Sequence, residues 1–376
     1  QPPLSKNKAT SCATSLSQGA GVTNLLVALE LDRFSGGISL DNYGTESAGP
    51  GFLRLNVGTN SQIMYGDRYA IDVSVSSDGK ELKNYGLSSS MPLNNNGTTF
   101  RSSYRKGSAA PGAAFEILDV DNQTQTISMS IEHPLKRSRR QNASFNVGLT
   151  HQNIDTDLLG SEFLKDRVRY LSTKFVYDFA NNNGGIHFGS VELFKGLDVD
   201  DATQQGVVLS SRQESKPTFV KAVGEYSYLK QLKSPPVLSR GNLTWANSLK
   251  WQYTNQPLFS SQEFELGGRN FGRGSDIGII AGDRGIALKS QLDYEYALGS
   301  GSAKFSGFVD YGKVWNLDDI NIGTEDEVAD LTTAGVGFGY KSKRNWYLNL
   351  EVAKPIQVSG DRDTDTNGYV SIGYKF

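Results

Sequence analysis

GYVSIGYKF (368–376), the end of the chain, decides how the rest is read. Val370, Ile372, Tyr374 and Phe376 fall on one face of an extended strand; Ser371, Gly373 and Lys375 fall on the other. Successive side chains of a strand point to opposite faces, so this period of two is a strand signal. It runs to the terminal Phe376. A flat strand with an unpaired aromatic edge invites aggregation. A closed barrel removes that edge by pairing the last strand with the first. If the apolar face then meets lipid, the expected fold is an outer-membrane β-barrel.

The same alternation recurs upstream. In 243–254, Leu243, Trp245, Leu249, Trp251 and Tyr253 oppose Thr244, Ser248, Lys250 and Gln252, with Asn247 out of step. In 286–296, Ile286, Leu288, Leu292, Tyr294 and Tyr296 oppose Lys289, Gln291, Asp293 and Glu295. In 346–352, Trp346, Leu348, Leu350 and Val352 oppose Tyr347, Asn349 and Glu351. The aromatic-rich face is too extensive to fill a closed barrel. It is therefore expected outside, in lipid, with the charged face lining the lumen.

Sixteen segments follow this pattern: 35–43, 51–60, 66–76, 82–91, 97–106, 124–133, 142–153, 168–180, 184–194, 217–229, 240–254, 286–297, 302–315, 332–341, 345–354 and 367–376. From 107 onward the connections alternate in length. The long ones are 107–123, 154–167, 195–216, 255–285, 316–331 and 355–366; the short ones are 134–141, 181–183, 230–239, 298–301 and 342–344. Outer-membrane barrels have even strand numbers, short periplasmic turns and longer outer loops. Both chain ends are then expected on the periplasmic side.

Composition agrees. The net charge of −2 gives no bulk basic character, so no nucleic-acid partner is expected. Mean hydropathy is −0.41. No apolar run approaches the ~20 residues of a membrane helix, but barrel strands need only ~9–11, half of them polar. Cys12 is alone, and His133, His151 and His187 are scattered without ligand spacing, so no metal or cofactor is expected. Neither a Ser-His-Asp order nor a P-loop ending is present, and no enzyme activity is expected.

Residues 1–21 are rich in Ser, Ala, Thr and Gly and read as linker; 22–33 (VTNLLVALELDR) read as one strand leading into the barrel. The expected division is 1–34 as linker and remnant of a periplasmic region, and 35–376 as barrel. No positively charged start with an apolar core opens the sequence, so any leader is expected to have been removed or to lie outside this sequence.

The longest connection, 255–285, contains LGGRNFGRGSD and then IIAGDRG. Loops beyond ~12–15 residues without structure of their own are usually functional. Gly267, Gly268, Gly272 and Gly274 allow tight turns, so the loop can fold back on itself, carrying Arg269, Arg273 and Arg284. An arginine at the tip of such a loop inside a barrel needs a carboxylate partner. Alternation in FSGFVDYGKVW (305–315) sends Phe305, Val309 and Tyr311 outward and offers Asp310 to the lumen.

At these residues the chain resembles the two-partner secretion translocators, the TpsB family of the BamA-like outer-membrane superfamily. The resemblance rests on Arg273-Gly274 after Gly267-Gly268, on GDRG (282–285, with Asp283, Arg284 and Gly285), and on Phe308, Asp310 and Gly312 as F-x-D-x-G. LDNYG (40–44), MPL (91–93) and HPLKRSRRQN (133–142) match as well. It covers about 22–376 and is specific as a set.

The resemblance implies a sixteen-stranded barrel whose sixth outer loop folds into the lumen. Its tip arginine, Arg273, pairs with the strand-thirteen aspartate, Asp310. It implies export of a large exoprotein that arrives unfolded, through a monomer in the outer membrane of a Gram-negative bacterium. The other expected partners are outer-membrane lipid and the barrel-assembly machinery, with Phe376 as the assembly signal. Lys250, Lys289, Asp293, Glu295, Glu351 and Lys375 would form a polar path, although any porin-like barrel has a polar lumen. Arg273–Asp310 reads as a lock on a gating loop; a salt bridge that merely stabilises the barrel is the plainer alternative.

Two departures stand out. Ser275 occupies a position where the family has Tyr or Phe, so a looser tip is expected. The family's two periplasmic domains have no counterpart here; residues 1–21 could be a remnant of its N-terminal plug helix. The rival readings are a barrel-assembly protein of the BamA kind and a passive diffusion porin.

Overall fold

The computed structural model describes residues 12–19, 22–29, 33–317, 328–360, 362 and 364–376. Sixteen antiparallel strands close into one barrel, which we number along the chain. They begin with β1 (Phe34–Asp41), β2 (Phe52–Asn60), β3 (Arg68–Ser76) and β4 (Leu82–Pro92). Next come β5 (Thr99–Ala109), β6 (Val120–Arg137), β7 (Gln141–Leu158) and β8 (Ser161–Ala180). Then follow β9 (Gly185–Gly196), β10 (Val220–Leu232), β11 (Gly241–Thr254) and β12 (Arg284–Leu298). The last are β13 (Gly301–Trp315), β14 (Val328–Ser342), β15 (Trp346–Val358) and β16 (Asn367–Lys375).

The barrel closes where β16 meets β1, with Ser371–Lys375 paired to Asp41–Gly37. Phe376 extends that ladder by exchanging both main-chain hydrogen bonds with Gly36, at 2.9 and 3.0 Å. The terminal edge is thereby consumed, as the alternation of its side chains requires.

Cross-strand partners share a face, so the register sorts the side chains. Lys289 lies opposite Asp310, Glu295 opposite Lys304, and Glu225 opposite Lys250, all inward. Trp245 lies opposite Leu292, and Leu288 opposite Tyr311, all outward. Phe305, Trp346 and Val336 are 53%, 52% and 63% exposed. Only a lipid environment covers such a belt, because water would charge for every one of these surfaces.

Three expectations are corrected. Strands β6, β7 and β8 run for 18, 18 and 20 residues. At ~3.3 Å per residue and a tilt near 45°, twenty residues rise roughly 45 Å, well beyond the ~25 Å apolar band. The connection expected over 154–167 therefore shrinks to a turn at Leu159 and Gly160, both at positive φ. Above the membrane the ladder simply continues, tied across by Arg167 and Asp155 at 2.5 Å.

Secondly, the expected loop 255–285 ends earlier, since Arg284 and Gly285 already belong to β12. Thirdly, residues 12–19 are a strand rather than linker or helix. Cys12–Gly19 pairs antiparallel with Val22–Leu29, in a two-stranded sheet separate from the barrel. The β-forming run of 22–29 offers its polar neighbour a complete ladder. Residues 1–11, 20–21, 30–32 and 318–327 of the expected tail, lead-in strand and outer loop lie outside the described residues.

Candidate functional site

The connection between β11 and β12 turns back into the barrel. Within it Phe264–Leu266 and Ile280–Gly282 pair as a short hairpin. Phe264, Leu266 and Ile280 bury against Ala287, Val314, Ala329 and Leu331 on the inner wall of β12–β14. Each large side chain so buried stabilises the seat by about 1.5–3 kcal/mol. The seat of the hairpin is thus an apolar patch on the inner wall, beside the polar residues expected there.

Glycine makes that seat possible. A Cβ at Gly312 would lie 2.4 Å from a Leu266 methyl carbon. The last residue of the F-x-D-x-G segment is therefore a clearance for the hairpin.

Beyond the hairpin the chain forms a compact tip. Gly267, Gly268, Gly272 and Gly274 all have positive φ. The tip is closed by Gly267 N donating to Phe271 O at 2.7 Å and Gly268 N to Ser275 O at 2.9 Å. Gly274, at φ 94°, presses on Ala353 of β15, where any Cβ would meet backbone at 2.9 Å. Asn367 Nδ2 donates to the Gly274 carbonyl at 2.7 Å.

This places Arg273 against Asp310. Arg273 Nε donates to Asp310 Oδ2 at 2.9 Å and Nη2 to Oδ1 at 2.7 Å, a bidentate, charge-assisted contact. Nη1 donates to Gln291 Oε1 at 2.8 Å. The guanidinium lies over the Phe308 ring, 3.2 Å from its centroid. Gly272 N and Arg273 N also donate to Asp310 Oδ2, each at 3.3 Å. The Asp310 side chain is wholly buried and that of Arg273 nearly so. Glu351 stands 3.9 Å away as a more distant carboxylate. Ser275 is buried as part of the tip turn, and its hydroxyl has no hydrogen-bond partner.

The other named residues separate into groups. Lys289 and Glu351 join the tip cluster, Lys289 directly opposite Asp310. Arg269 lies over Tyr43, 4.4 Å from its centroid, and Tyr43 stacks on Tyr369 at 4.9 Å. The LDNYG segment, which begins at the end of β1, thus reaches the tip. Arg284 is elsewhere: it donates to Thr254 O at 2.6 Å and covers Tyr253. Gly285 accommodates the Phe264 ring. Lys250 Nζ lies over the same ring, 5.5 Å from its centroid. Asp293, Glu295 and Lys375 sit lower on the wall: Asp293 near Lys304, Glu295 opposite Lys304, and Lys375 over Tyr347.

Asp283 has a partner that the sequence did not reveal. Its fully buried carboxylate is met by Arg212 at 2.7 and 3.1 Å. Arg212 stands in the outer connection between β9 and β10, 71 positions away. Nothing in its local sequence marks it; the only signal was an Asp in GDRG that demanded a cation.

The sequence profile described as "Haemolysin secretion/activation protein ShlB/FhaC/HecB" matches residues 25–341. The chain belongs to that family. It is 26% identical over 346 residues to the "Heme/hemopexin transporter protein HuxB" of Haemophilus influenzae, covering 89% of this chain. It is 22% identical over 288 residues to the "Hemolysin transporter protein HpmB" of Proteus mirabilis, covering 74% of this chain. The chain spans 59% and 49% of those two proteins.

Among solved structures, CdiB from Escherichia coli superposes with a TM-score of 0.82 at 19% identity, over 97% of this chain and 67% of that one. BamA from Haemophilus ducreyi superposes at 0.64 and 13% identity, over 97% and 75%. Family and fold together put the barrel in the outer membrane of a Gram-negative bacterium.

Proposed function

We propose that the barrel is the outer-membrane translocation pore of a two-partner secretion system, exporting a large, unfolded exoprotein past a plug formed by 255–283. The observation that carries this reading is the buried Arg273–Asp310 pair at the plug tip. A diffusion porin has no use for a segment sealed into its lumen. A secretion pore needs a closed resting state, so that the envelope does not leak, and a seal that can be undone. Ion pairs serve this better than more apolar burial, since water and passing polar groups can compete for them. Asp293, Glu295 and Lys375 would offer the moving chain polar contacts below the plug, and Lys250 one beside the hairpin. Phe376 acts as the signal read by the barrel-assembly machinery, and the pore works as a monomer.

The test is export. Arg273→Ala should still give a folded barrel that shifts on gels when heated, yet lose secretion of a co-expressed exoprotein. Secretion at the parental level would refute the lock.

A further inference from the structure

The plug is held at two ends. Its tip is pinned to the barrel wall; its root, around Glu263 and Asp283, is pinned from outside. Arg212 Nη1 donates to Glu263 Oε1 at 2.7 Å, to Asp283 Oδ1 at 2.7 Å and to Leu258 O at 3.2 Å. Its Nη2 donates to Asp283 Oδ2 at 3.1 Å. The Arg212 side chain is only 9% exposed. Asp283 also accepts from Leu258 N at 2.7 Å and from Leu317 N at 2.8 Å. Three outer connections thus converge on one buried carboxylate.

Arg212 rides on an outer connection, 197–219, that packs on the root of the plug. Its last buried residue, Phe219, packs with Leu258, Phe259 and Val168 into a second apolar core. Ser260 N donates to Ser211 Oγ at 3.1 Å, beside the ion pair. The same connection caps the upper edge of β8, which β9 leaves unpaired above Tyr170. Leu197 N donates to Arg169 O, Thr203 N to Arg167 O, and Lys165 N to Leu209 O, at 2.6–3.0 Å.

We propose that Arg212 is a positioning residue, the outer latch of the plug, and that the pore opens only when 197–219 lifts from the plug root and withdraws its arginine. This rests on the reading of 255–283 as a lumen plug. If Arg212 leaves, Asp283 and Glu263 lose their shared cation. A buried carboxylate stripped of its partner is strongly disfavoured, so the root of the hairpin must rearrange toward water. The geometry makes Arg212 the charged side chain by which 197–219 holds both carboxylates of the plug root.

Planar-bilayer recordings test this without any exoprotein. The background is Cys12→Ser, which removes the native thiol. Arg212→Ala should raise the frequency of large openings on the order of a hundredfold, as losing one member of a buried pair implies. Arg212→Lys, which keeps a cation without the bidentate fork, should fall between the two. Ser211→Cys with Ser260→Cys should, once oxidised, silence openings, and reductant should restore them. A merely structural role would not give a reversible redox response. If Arg212→Ala fails to fold, the cross-linked pair carries the test alone. Openings that persist at the parental rate in the oxidised double variant overturn the latch, as does an Arg212→Ala channel indistinguishable from the parent. A parent that conducts steadily from the start would instead sink the plug itself.

Discussion

Replacing Arg273 by alanine should loosen the plug tip without ejecting the plug, and the size of the effect follows from its contacts. The guanidinium makes two side-chain bonds to Asp310 and one to Gln291, and covers Phe308. Removing one member of a buried pair costs about 3–5 kcal/mol. Lys289, directly opposite Asp310, can turn toward the stranded carboxylate, so the lower end of that range is expected. The root keeps Phe264, Leu266 and Ile280 in their apolar seat. Their combined burial, at about 1.5–3 kcal/mol each, exceeds what the tip loses.

The assay is thiol labelling at Ser275→Cys in a Cys12→Ser background. Ser275 is buried and its hydroxyl has no partner, so sulfur is tolerated there. Labelling through tip opening should accelerate at least about a hundredfold when Arg273 is removed, since each 1.4 kcal/mol is tenfold. A matched probe in the hairpin, Ile280→Cys, should accelerate far less. Equal labelling rates at Ser275→Cys with and without Arg273 would refute the argument that this pair holds the tip.

Other outcomes follow from the same geometry. Gly312→Leu should evict the hairpin, because its first side-chain atom already collides with Leu266; bilayer recordings should show a permanently enlarged conductance. Val336→Arg places a charge on the lipid face and should cost about 2–4 kcal/mol near the midplane. Refolding into lipid vesicles across a urea series would measure it, with inward-facing Lys304→Arg as the near-neutral control. Asp67 caps the turn before β3, accepting from Gln62, Ile63 and Met64, each at 2.8 Å. Burial alone would raise its carboxyl, but these main-chain donors outweigh that and hold it below the ordinary value. The turn's stabilisation is therefore present above the unfolded carboxylate value and lost as pH falls through the lower folded one. Protection of the amides of residues 61–67, after correction for the intrinsic pH dependence of exchange, should fall on acidification, and Asp67→Asn should flatten that dependence.

What the sequence disclosed and what it hid divide along physical lines. Alternation is local, so β16, β11, β12 and β15 could be read from their own residues, as could a Gly-rich connection bearing an arginine. The Asp310 partner was legible because alternation fixed its face. Arg212 was not, because its bond to Asp283 spans two outer connections with no period of their own. The excess length of β6–β8 was hidden for another reason. SEFLKD (161–166) carries polar or charged residues on both faces, since above the membrane neither side meets lipid. The dry seat under the hairpin escaped too. Gly285, Gly312 and Ala287 look like unremarkable strand residues until Phe264 and Leu266 arrive from elsewhere.

The cap on β8 has one more consequence. Residues 165–169 bond to 197–209 on the side where their sheet neighbour has stopped. Any swing that frees the exit also strips this cover, leaving a row of vacant amides and carbonyls at the cell surface. A polypeptide just leaving the tunnel would meet a ready-made pairing template at the instant it needs its first strand. On the proposed export reading, unsealing the channel and offering a seed for folding are the same motion.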